Sequence, residues 1–135
     1  MNKETYIEEL FNGVNMGMIA IDHLIDKMKN EELREIVLHQ RKDYGELKEK
    51  IQRHYPESHD EIKQKFMLET MIELKTLLTD DSKIAKMLIE GCNQSIMTMT
   101  HLLNKEETLE PKLRSCIHDF EEISKNYIEK LKPFV

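Results

Sequence analysis

Six histidines carry most of the chemical range of this sequence: His23, His39, His54, His59, His101 and His118. An imidazole can ligate a metal or carry a proton near neutral pH, so its neighbours decide its use. Helical bundles that hold a pair of metal ions set a glutamate three residues before a histidine on each of two helices. The residues in that place here are Ala20, Ile36, Ile51, Pro56, Thr98 and Ser115. None is a carboxylate. Glu8, Glu9 and Glu90 fall outside the apolar stripes of their helices, so hard oxygen ligands are missing where a metal would sit. The sequence predicts no metal and no cofactor.

His23 and His101 offer the one alternative, a paired imidazole site. By helical spacing both point about 160° away from the stripes of their own helices. They share that outer side with Met16 and Ile19, and with Met97. Two imidazoles alone hold a metal weakly. Met16, Ile19, His23, Met97 and His101 are therefore expected to form a second packing face. His39 with Asp43, and His118 with Glu122, stand four apart and read as surface pairs. Cys92 and Cys116 both fall on core stripes, with no base beside either to make a nucleophile. Phosphate-binding loops and zinc spacings are absent.

The elements that position these residues are helices. Apolar residues recur at Ile7, Leu10, Val14, Ile21, Leu24 and Met28, then at Leu33, Val37, Gln40, Tyr44, Leu47 and Ile51. This spacing predicts helices over 3–29 and 31–54. Pro56 closes the second. Ser58 with Glu61 makes a capping box for a helix over 59–79. Asp80 and its neighbours offer caps for a helix over 82–104, and Thr108 for one over 109–132, with Pro111 in its first turn.

The helices 3–29 and 82–104 match each other. Gly13, Asn15, His23 and Leu24 recur as Gly91, Asn93, His101 and Leu102, each 78 positions on. Leu33 and Val37 match Leu113 and Ile117 at a shift of 80. Two copied hairpins, 3–54 and 82–132, joined by a crossover helix over 59–79, make an all-α, ferritin-like up-down four-helix bundle. A helix over 59–79 is roughly 30 Å long, enough to run the length of a bundle. Gly13 with Gly17, and Gly91 with Ser95, place small residues one turn apart, which predicts a close crossing of the two matched helices.

Several stretches resemble a known group: 15–21 (Asn-Met-Gly-Met-Ile-Ala-Ile), 74–78 (Leu-Lys-Thr-Leu-Leu), 84–91 (Ile-Ala-Lys-Met-Leu-Ile-Glu-Gly) and 128–132 (Ile-Glu-Lys-Leu-Lys). They look like small uncharacterised ferritin-like four-helix-bundle proteins of Firmicutes. The resemblance covers most of the chain and implies a fold, with no established activity. The second Met-Gly of that pattern is replaced by Gln94-Ser95.

Composition narrows the rest. The chain has 135 residues, a net charge of −6, 34% charged residues, 4 glycines and 3 prolines. That describes one helical domain, 1–135, with a solvated charged surface. An acidic balance argues against nucleic acid, and no window approaches the roughly 18 apolar residues of a membrane span. The polar start Met1–Thr5 lacks the apolar run of a signal peptide, so a cytoplasmic location is expected. The function expected is a non-enzymatic bundle acting through an unknown protein partner, most simply as a homodimer through the second face.

Overall fold

The computed structural model describes residues 2–57, 73, 80–105 and 108–135. Among them the chain forms four α-helices and no strand: α1 Lys3–Leu24, α2 Glu31–His54, α3 Asp81–Lys105 and α4 Pro111–Leu131. Short 3-10 turns follow α1 (Ile25–Lys27) and α4 (Lys132–Phe134). The first predicted helix therefore ends earlier than residue 29. Its last turn tightens and reaches Met28, whose backbone is extended. The helix expected over 59–79 lies, apart from Glu73, outside the described residues.

Three of the four described helices start where a side chain satisfies a free N–H group. Asn2 accepts from the Thr5 N–H at 3.0 Å, Asn30 from Leu33 at 3.1 Å and Asp80 from Lys83 at 2.8 Å. Helix α4 departs from expectation. It begins at Pro111 with Glu110 in the cap position and no side-chain cap bond. Proline lacks an N–H, so one fewer donor needs a cap, and Thr108 stands outside the helix.

Two contacts fix the directions of the helices. The Asp81 carboxylate, at the start of α3, accepts from the Lys29 and Asn30 N–H groups in the α1–α2 turn, both at 2.9 Å. The Tyr55 hydroxyl, at the end of α2, donates to Glu110 at the start of α4, and Lys3 pairs with the same carboxylate at 3.2 Å. So α2 and α3 run the same way, while α1 and α4 run opposite to them. Helix α1 packs on α2, α2 on α4 and α4 on α3. The α1–α3 side is the looser one.

The core is one cluster fed by all four helices. It includes Leu10, Val14 and Leu24 of α1, Leu33, Val37 and Ile51 of α2, Ile84, Met99 and Leu102 of α3, and Ile117, Phe120 and Leu131 of α4. Burial of such apolar surface is the main drive to fold, about 25 cal/mol per Å². Tyr6, Phe11 and Asn15 are also buried, so α1 is enclosed on a wider arc than its apolar stripe predicts. No helix among the described residues is long and apolar enough to cross a membrane.

Candidate functional site

Two places hold the polar and sterically special groups: a cluster inside the bundle and the outer side of α3. The inner cluster surrounds Tyr44. Its ring is seated by glycine: a Cβ on Gly17 would lie 2.7 Å from Tyr44 Cε2, and one on Gly13 2.9 Å from Phe120 Cε2. The two rings meet edge to face, centroids 5.9 Å apart, a favourable aromatic geometry. Gly13 and Gly17 thus let rings from α4 and α2 reach the α1 backbone. They do not make the expected crossing with α3. Gly91 is exposed, and among the described residues nothing lies within 4 Å of where its Cβ would stand. Ser95 donates back to the Gly91 carbonyl at 3.0 Å. The glycine–serine half of the predicted crossing is therefore corrected: no described residue comes close enough to Gly91 to call for a small residue there.

Around the Tyr44 hydroxyl stand Gln40, Cys92 and Ser124. Gln40 Nε2 donates to Tyr44 Oη at 3.1 Å and lies 3.5 Å from Cys92 Sγ. Burial, then the neighbouring Cys92, pushes the Tyr44 phenol far above its ordinary range, and burial pushes the Cys92 thiol up too. Ser124 is near enough to favour the ionised phenol slightly. The two do not meet in hydrogen-bond geometry, and among the described residues Ser124 Oγ and Gln40 Oε1 have no partner. Burial thus favours the protonated phenol and thiol in this cluster, whereas a nucleophile is activated by a lowered pKa or an adjacent base. Cys116 is buried elsewhere, its thiol raised by burial, and both cysteines are free.

Among the described residues the histidines do not converge. His23 is half-buried on α1, and His39, His101 and His118 are exposed. Asp43 accepts from the Tyr127 hydroxyl at 2.6 Å. His118 lies 3.6 Å from Glu121, one residue short of the expected Glu122. Glu121 itself is buried and accepts from Thr100 at 3.0 Å. Among the described residues no three His, Cys, Asp or Glu side chains are grouped to hold a metal ion.

The outer side of α3 is different in kind. Met97 is 69% exposed, more than Leu38 at 47% or Val135 at 59%. By helical spacing it is flanked on the same side by Asn93, Gln94, Thr100, His101 and Asn104, all exposed. Residues 91–104 contain no Asp, Glu, Lys or Arg in a chain that is 34% charged. Leu38, by contrast, stands among Arg34, Glu35, Arg41 and Lys42. Of the expected second face, Met97 and His101 are open, while Met16, Ile19 and His23 are half-buried. The sequence reading missed Asn93, Gln94, Thr100 and Asn104. The signal that marks them is the uncharged run, which apolar periodicity ignores.

Among the described residues, these features make a helical bundle with a buried polar cluster and an uncharged, exposed stretch on the outer side of α3. No family model, no curated protein and no solved structure matches the chain.

Proposed function

We propose that this chain is a non-enzymatic helical bundle that acts through protein–protein contact, with the uncharged outer face of α3 as its contact surface. The observation that carries the reading is Met97, a large apolar side chain 69% exposed among neutral polar residues. Interface centres are depleted in charged residues and enriched in methionine. A neutral polar side chain costs far less to strip of water than an ion.

The arrangement is read as ferritin-like. Helix α2 ends and α3 begins at opposite ends of the bundle, which favours a lengthwise connection between two hairpins. The protonated Tyr44–Cys92 cluster supports a structural core over a catalytic one. A cytoplasmic location accords with two free, buried thiols.

The test is a photo-activated crosslinker at position 97, compared with one at exposed Lys42 on α2, in cells that make the protein. A discrete adduct heavier than the 16.1 kDa chain is expected from position 97 and none from 42. No adduct from 97, or the same adducts from both, would overturn the reading.

A further inference from the structure

We propose that the occupant of the α3 face is a second copy of this chain, docked antiparallel across a two-fold axis at Met97. The inference rests on the contact surface assigned above and adds its partner.

The first argument is self-complementarity. At a two-fold interface the same patch meets itself, so residue i touches j and j touches i. Asn93, Gln94, Asn104 and a neutral His101 each carry both a donor and an acceptor. Each can pair with a neutral neighbour from an identical chain. A lysine offers only donors and a glutamate only acceptors, so patches of one charge repel their own copy. The chain carries −6 overall, and residues 91–104 are where that repulsion is least.

The second argument is the charge that brackets the run. Glu90 stands seven residues before Met97 and Lys105 eight after it. Both are exposed. In an antiparallel pair centred at Met97, positions equally far before and after it lie opposite each other. Asn93 then faces His101, Gln94 faces Thr100, and Glu90 of one copy reaches Asn104 and Lys105 of the other. Two opposite-charge contacts close the two ends of the stripe. A parallel pair would set Glu90 on Glu90 and Lys105 on Lys105. The contact spans about 22 Å of helix at 1.5 Å per residue. That is a small interface, so association belongs in the micromolar range.

Charge reversal tests this directly. Sedimentation velocity at about 50 μM compares the wild type with Glu90→Lys, with Lys105→Glu and with an equimolar mixture of the two variants. Circular dichroism checks that each remains helical, as expected for exposed positions. The wild type is expected to sediment as a dimer and each single variant to associate at least tenfold more weakly, since two attractions become two repulsions. The mixture is expected to regain association, because each variant then faces the charge its own copy lacks. A monomeric wild type overturns the proposal, and so does a dimer indifferent to both reversals or a mixture no stronger than its parts. If the wild type is monomeric while position 97 still crosslinks to one discrete partner in cells, the contact surface stands and the second copy is wrong.

Discussion

Helices α1 and α3 match at thirteen-and-ninety-one, fifteen-and-ninety-three and twenty-three-and-one-hundred-and-one, yet they end in different surroundings. Their inner positions agree. Val14 and Cys92, Ile21 and Met99, Leu24 and Leu102 are all buried. Their outer positions part. Asn15 is buried and Asn93 exposed, Ile19 is half-buried and Met97 exposed, and His23 is half-buried where His101 is open. Gly13 touches an aromatic ring, while Gly91 touches nothing among the described residues. The spacing of apolar residues sets which side of a helix meets the core. It does not set what the opposite side meets, because neighbours from elsewhere in the chain or from another chain decide that.

The largest test of this contrast is overpacking. Gly17→Leu is expected to destabilise the fold by about 1–3 kcal/mol or more, because its side chain must displace the buried Tyr44 ring. Gly91→Leu should be neutral or stabilising, since no described residue lies within 4 Å of its Cβ position and leucine is the better helix former. Chemical denaturation reads both, and equal costs would show that the two glycines share one environment.

A charge placed at the matched outer positions comes next. Ile19→Glu should cost about 1–2 kcal/mol as a half-buried site takes on a carboxylate. Met97→Glu should leave the stability of the monomer nearly unchanged, within about 0.5 kcal/mol. A larger loss at 97 than at 19 would reverse the assignment of enclosed and open faces.

Alanine sharpens the comparison further. Gly91→Ala is expected to stabilise by up to about 1 kcal/mol through helix propensity alone. Gly17→Ala should destabilise despite the same propensity gain, because even a Cβ lies 2.7 Å from the ring. Opposite signs at matched positions are the prediction, and thermal melts suffice to read them.

The smallest effect is at the end of the bundle where α1 starts. The Tyr55 hydroxyl, then Lys3, holds the Glu110 carboxyl below the usual carboxylate range. A group whose folded pKa is lowered stabilises the fold above its unfolded value, about 4.3. That contribution fades as pH falls through the folded value. Glu110→Gln should therefore flatten the acid limb of the stability profile and leave its slope near pH 7 alone. An unchanged acid limb would show that the clasp does not fasten α1.

Much of the fold was legible because helices announce themselves by period and cap. Asp80, among the expected caps, stands at the observed start of α3, and α2 spans the predicted residues, while the caps Asn2 and Asn30 were not read from the sequence. The Thr108 cap failed because proline at the first helical position removes the need for one donor partner. The site was less legible. Gly-x3-Gly says that something comes close to the backbone, but not what. Here it is a pair of rings, because Tyr44 and Phe120 lie on the stripes of helices that pack inward. The buried Glu121 lies one step off its stripe and was hidden for that reason, as its partner Thr100 comes from another helix. The outer face of α3 was half seen. Met97 and His101 stood out against an apolar pattern, whereas Asn93, Gln94 and Asn104 are visible only as a lack of charge.

The most direct measurement of the central contrast is a pair of engineered thiols at the matched outer positions. Met97→Cys and Ile19→Cys each add one cysteine to a chain whose own two are buried. A disulfide forms only where two Cα atoms come within about 7 Å. In the proposed dimer residue 97 meets its own copy at the two-fold axis, so mild oxidation should convert Met97→Cys to a covalent dimer of twice the 16.1 kDa chain mass, while Ile19→Cys stays monomeric. A covalent dimer through position 19 with none through 97 would contradict the account.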